Sequence, residues 1–107
     1  MTNQEIKEGR TMAIISYLFW IGLLIAFIMN ANKRNPFASF HIRQALGISL
    51  IYSISGILMK ISALAGQIVF LFSFVLMIIG LLSAIKYETK KIPLLGDQFQ
   101  AWFKNII

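Results

Sequence analysis

The chain has 107 residues, of which 58% are hydrophobic and 13% charged, and its mean hydropathy is +0.76. A soluble domain carries about 25% charged residues, so the composition excludes a conventional soluble enzyme and a secreted mini-protein. Ten Lys and Arg against four Asp and Glu leave a net charge of +6. The basic residues flank apolar stretches, where anionic lipid headgroups account for them and nucleic acid does not.

Residues 11–32, 44–59 and 61–85 contain no charged side chain. A helix needs about 20 apolar residues to cross about 30 Å of hydrocarbon. Residues 1–10 form a polar head of mixed charge. The first apolar stretch is longer than the core of a signal peptide, so it reads as a permanent span over 11–30. Tyr17 and Trp20 are expected at the membrane interface. Gly22 and Ala26, four apart, offer a small surface against which another helix packs, here the third span.

Residues 30–36 form a polar turn. Asn35 suits an N-cap and Pro36 the first helical position, so a second span is expected over 36–60. On a helix, His41, Gln44, Ala45, Ile48, Tyr52, Ser55, Gly56 and Met59 share one face, and Leu46, Leu50, Ile54, Ile57 and Ile61 lie opposite. The polar and small face should meet partner helices and the aliphatic face lipid. A turn near Lys60 leads to a third span over 63–86. Its residues Ala63, Gly66, Phe70, Ser73, Met77, Gly80, Ala84 and Tyr87 follow a heptad seam, with Gly66, Ser73 and Gly80 recurring every seven positions. Pro93 and Gly96 make a further turn, and Asp97 is suited to cap a final helix over 97–107. That segment is too short to span. Phe99, Trp102, Phe103 and Ile106 give it one apolar face, as in an interfacial amphipathic helix.

The expected architecture is therefore all-α. It is a single membrane domain over 1–107, with three transmembrane helices and a short interfacial helix. Glu5, Glu8, Glu88 and Asp97 all lie outside the apolar stretches, and His41 is the one histidine. No acid pair, metal-ligand cluster, activated nucleophile or phosphate loop is present, so no enzyme activity and no cofactor are expected. His41 and Gln44 read as hydrogen-bonding anchors between helices. Lys33, Arg34, Arg43, Lys90 and Lys91, with Trp102, read as lipid-headgroup residues. Three spans place seven basic residues on one side and three on the other. The positive-inside rule then puts the turn over 30–36 and the end of the chain in the cytoplasm, and residues 1–10 with the turn near Lys60 outside. The expected location is the inner (plasma) membrane.

The segment Asn35-Pro36-Phe37-Ala38-Ser39-Phe40-His41-Ile42-Arg43-Gln44-Ala45-Leu46 resembles the signature of a bacterial family of small membrane proteins of unknown function. That family is similar to the small Tic subunit of the chloroplast protein-import apparatus. Phe37, Phe40, His41, Gln44 and Ala45 carry the likeness. Residues 84–86 and Ile92-Pro93-Leu94 resemble the family's last span and following turn, so the likeness covers about residues 11–96. It implies an integral membrane protein near protein translocation. The expected function is an accessory or scaffold subunit, its partners the anionic bilayer and other membrane subunits or further copies of itself. A self-assembling, holin-like pore is the alternative.

Overall fold

Capping residues start most of the helices. Thr2 opens α1 (Asn3–Ser16): its hydroxyl accepts from the Glu5 N–H at 3.2 Å, and the Glu5 carboxylate accepts from the Thr2 N–H at 2.8 Å. The Thr2 backbone N–H, and then its hydroxyl, hold the exposed Glu5 carboxyl below its usual range. That contribution is complete at neutral pH and fades as pH falls through the carboxylate range. Asn35 caps α3 (Pro36–Ile61) by accepting from the Ala38 N–H at 3.0 Å, with Pro36 at the first position. Ser62 closes α3 with its N–H and opens α4 (Ala63–Ile85) with its hydroxyl, which accepts from Ala65 at 3.3 Å. These elements, with α2 (Phe19–Lys33) and α5 (Gly96–Trp102), make up the computed structural model, which describes residues 1–107 as five helices without a strand.

The expected single span over 11–30 is a helical hairpin. α1 stops at Ser16, Tyr17 and Leu18 form the turn, and Phe19 takes a left-handed φ of 59°. The amides of Tyr17 and Leu18 return to the carbonyls of Ile14 and Ile15 at 3.2 and 3.0 Å. Gly22 brings α2 against the Ile15 carbonyl, where a Cβ would clash. Gly22 therefore serves the hairpin, and the backbones of α2 and α4 do not approach each other.

The two hairpins differ in height. At about 1.5 Å per residue, α1 and α2 rise about 21–22 Å, whereas α3 and α4 rise about 39 and 34 Å. The Asn35 side chain donates to the Glu5 carbonyl at 2.8 Å, and Arg10 Nε donates to the Ile85 carbonyl at 3.1 Å. Residues 1–10, the turn between α2 and α3, and everything after α4 thus gather at one end of a 46 × 22 × 22 Å body. The Lys60–Ser62 turn stands alone at the other. The seven-to-three division of basic residues is replaced accordingly. Lys7, Arg10, Lys33, Arg34, Arg43, Lys86, Lys90, Lys91 and Lys104 share one end with both termini, and Lys60 sits at the other. Trp20 is likewise moved: its indole N–H donates to Ser53 Oγ at 2.9 Å, at the tip of the short hairpin beside the long one.

α3 is buried nearly all round in its first half, where α1, α2, α4 and α5 surround it. Beyond Ser53 only α4 remains beside it, so Ile54, Ile57, Ile61, Leu64, Ile68 and Leu71 are exposed. Ser73, Gly80 and Ala84 of the α4 seam turn into the bundle, and Gly66 packs on Met59. The last helix is shorter than the expected 97–107. Asp97 does not cap it but pairs with Lys91 at 2.6 Å, both exposed, an arrangement that contributes little. Phe99 packs over Gly47, whereas Trp102 is 64% exposed.

Adding bulk should therefore separate two glycines of the long hairpin. A Cβ at Gly80 would lie 2.5 Å from the Tyr17 ring, while nothing lies within 4 Å of one at Gly56. Gly80→Leu should cost about 1–3 kcal/mol by overpacking. Gly56→Leu should be neutral or stabilising, since a helical glycine is about 1 kcal/mol worse than Ala. Thermal unfolding in mild detergent measures both, and equal losses would mean that α1 does not pack on α4.

Candidate functional site: a buried polar lock at the basic end

Tyr17 reaches from the end of α1 between α3 and α4. Its ring lies edge-on to His41 at 5.5 Å between centroids, and Gly80 leaves the space it occupies. His41 Nε2 is 2.7 Å from the Glu88 carbonyl, which only accepts, so Nε2 carries the proton. Nδ1 is then the acceptor, and the Tyr17 O–H donates to it at 2.6 Å. The Gln44 amide donates to the Tyr17 oxygen at 3.1 Å, while its carbonyl accepts from the Ile92 N–H at 2.8 Å. Ser83 extends the chain of bonds, donating to the Glu88 carbonyl at 3.0 Å and accepting from the Lys90 N–H at 3.1 Å. The turn between α1 and α2, both long helices and the 86–92 loop thus meet through one continuous network. Phe37 and Phe40 flank the imidazole edge-on at 4.8 and 5.1 Å, and Ala45 is buried one residue beyond Gln44.

A second node lies at the foot of α2. Asn30, fully buried, donates to Ser39 Oγ at 2.9 Å and accepts from the Asn35 N–H at 2.8 Å. Through Asn35 it is tied to α1 at Glu5.

The remaining residues singled out from the sequence lie elsewhere. Gly66 and Ser73 belong to the contact between the long helices, where Ser73 Oγ bonds its own helix at the Phe70 carbonyl at 2.8 Å. Lys33 and Arg34 end α2, Arg34 in a left-handed conformation with φ of 46°. Arg43 secures the last segment, donating to the Ile107 carbonyl at 2.8 Å, the Lys104 carbonyl at 3.2 Å and Gln100 at 3.4 Å. Lys90 and Lys91 lie on the exposed loop after α4. Sequence reasoning missed Tyr17, Asn30 and Ser83 as members of the network. Their signal was present: each is an uncharged polar side chain inside or bordering an apolar run, which lipid tolerates only with a partner.

Every side-chain donor and acceptor named in the two nodes has a partner, and no three His, Cys, Asp or Glu side chains converge as a metal site would require. The arrangement holds helices together. α3 and α4 are long and apolar enough to cross a membrane, with mean hydropathies of 1.4 and 2.9 over their best windows, and α2 is a shorter apolar helix. Long apolar helices, a lipid-like outer surface and polar groups satisfied internally define an all-helical membrane protein. The chain belongs to the magnetosome magnetite crystal formation protein family, MamF/MmsF, which matches residues 8–99. No curated protein and no solved structure matches it.

Membership in that family overturns the resemblance to chloroplast import. The accessory role in translocation falls with the resemblance, and the pore alternative gains no support. The misleading residues have a physical reading of their own. Phe37, Phe40, His41 and Gln44 form a packing and hydrogen-bonding unit within this bundle. Such a unit reports how helices are fastened and carries no information about cargo.

Tyr17→Phe removes one hydroxyl and orphans both His41 Nδ1 and a Gln44 donor. It should destabilise the detergent-solubilised protein by about 1–3 kcal/mol. Tyr52→Phe, at a half-exposed ring whose hydroxyl has no partner, should change stability by less than about 0.5 kcal/mol. Chemical denaturation compares them, and equal effects would mean that the network is not formed.

Proposed function

We propose that this chain is a non-enzymatic, multi-pass protein of the magnetosome membrane that takes part in magnetite crystal formation. The observation that carries the proposal is the family match, which extends over residues 8–99 and so includes α2, α3 and α4 whole and α1 from residue 8 onward. The structure supports the membrane part of the reading. α3 and α4 cross the bilayer, and α1 and α2 enter it as a re-entrant hairpin whose turn ends inside. That placement is consistent with the rule that non-helical backbone at membrane depth must be buried in protein: Tyr17 in the turn is buried, with its hydroxyl in the network. The sequence reading of three spans becomes two full crossings and one half-depth hairpin.

The count of basic residues orients this body. Nine Lys and Arg at one end against Lys60 at the other favour an orientation with both ends of the chain in the cytoplasm. Only the Lys60–Ser62 turn then reaches the far face. Side chains able to ligate iron do not gather there or anywhere else in the chain. The chain contributes to crystal formation through its placement in the membrane.

Removing the gene from a magnetite-forming cell should reduce the size or number of crystals seen by electron microscopy, and restoring it should recover them. Crystals unchanged by the removal would overturn the functional reading. Topology has a separate test, because the chain has no native cysteine. An impermeant thiol reagent should label Asn3→Cys and Asn105→Cys from the cytoplasmic side and Ser62→Cys from the other. Labelling of Asn3→Cys from the same side as Ser62→Cys would restore a single span over 11–30.

A further inference from the structure

Two cavities are lined by neighbouring residues of α3 and of the last segment. The lower, about 380 Å³, is lined by Arg34, Arg43 and Lys104 together with Ser39 and Phe40, and no acidic side chain borders it. The upper, about 240 Å³, has an entirely apolar lining that includes Trp20, Leu23, Phe27, Ile42, Leu46 and Ile106. They adjoin along the chain itself: Ile42 lines the upper and Arg43 the lower, and Ile106 and Ile107 divide in the same way. Ser39, Ile42 and Leu46 succeed one another on one stripe of α3, leading from the charged cavity into the apolar one.

Arg43 is held in place by its three bonds to the last segment, yet its Nε is buried and has no partner. Neither Arg34 nor Lys104 is paired, since Lys91 and Asp97 form the only ion pair in the chain. Arg34, Arg43 and Lys104 converge there, and the main-chain oxygen of Ile107, which also lines the cavity, engages Arg43 alone.

We propose that the two cavities form one binding site for a single anionic phospholipid. The phosphate rests against Arg34, Arg43 and Lys104, and one acyl chain follows the groove toward Trp20. A guanidinium suits a phosphate because its planar donors match the oxygens. The absence of an acidic side chain disfavours a headgroup that also carries an ammonium, which would meet only like charge. The apolar cavity opens on the side where Leu24 and Ile106 are exposed, the side that faces lipid in the membrane placement proposed above. The inference rests on that placement, and it needs no assumption about magnetite.

Trp20 lines the groove and reports its occupant. In a Trp102→Phe background it is the only indole. Phosphatidylglycerol brominated in mid-chain, added to the protein in detergent, should quench Trp20 along a saturable curve. Phosphatidylcholine brominated at the same carbons should need at least about tenfold more lipid, since each basic residue near a headgroup contributes measurably to binding. Arg34→Gln combined with Lys104→Gln, two side chains that donate no hydrogen bond to the fold, should move the phosphatidylglycerol curve onto the phosphatidylcholine one while far-UV circular dichroism stays unchanged. Equal quenching by the two lipids, or a double variant that keeps the preference, would overturn the proposal. So would inorganic phosphate that abolishes the preference at an ionic strength where chloride leaves it intact, because the cleft would then hold free phosphate. Crystals unaffected by loss of the gene would leave this quenching in place. A lost lipid preference alongside defective crystals would separate the two readings in the opposite sense.

Discussion

The hydroxyl of Tyr17 is the constraint on which the rest of the bundle depends. It donates to His41 and accepts from Gln44, and those two side chains hold the Glu88 carbonyl and the Ile92 amide. In hydrocarbon no water replaces a missing partner, and each unsatisfied group costs several kcal/mol. The bonds are therefore mutually enforcing. To deliver the hydroxyl, α1 ends at Ser16 and the chain turns back, with Phe19 in a left-handed conformation that non-glycine residues adopt at some cost. The glycine at position 80 is the other half of the same requirement, because a side chain there would occupy the place of the Tyr17 ring.

The lock lies low in the molecule, and the asymmetry of the bundle follows from that. Its members come from the turn of the short hairpin, the first half of α3, the end of α4 and the loop that follows. The Asn30 node fastens the same end from the other flank. Above it, α3 and α4 continue as a bare pair joined by the contact of Gly66 with Met59, and their outer residues are apolar and exposed. Lipid is an adequate neighbour for such a surface, so no further helix is needed there. One end of the chain is thus rigid, polar inside and basic outside, and the other is a slim apolar hairpin.

Family membership and geometry constrain each other. The magnetosome family supplies the biological setting, and the bundle supplies the fastening, since Tyr17, Asn30, His41 and Gln44 are all engaged in bonds between its elements. The import-like motif at Phe37–Ala45 shows the hazard in the opposite direction. A histidine and a glutamine one turn apart at the start of a membrane helix are a general solution to fastening that helix, and unrelated functions can share it.

Much of the architecture is legible in the sequence because it is local. The caps at Asn35 and Ser62, the two long apolar runs and the inward seam of Ser73, Gly80 and Ala84 depend on neighbours three, four or seven residues away. Hydrophobic periodicity reports which face is buried; it does not report where a chain turns back. No glycine or proline lies between Ser16 and Phe19, so nothing local breaks the first apolar stretch. The break is stabilised by bonds to partners 24 and 27 residues away, which exist only once α3 is in place. The tertiary structure alone decided that residues 11–30 form a helical hairpin, that both ends of the chain lie together, and that nine basic residues share one end. The sequence by itself determined that the chain is helical, apolar and built for a membrane, because those properties are sums over residues, whereas the fold-back is a property of pairs far apart in the chain.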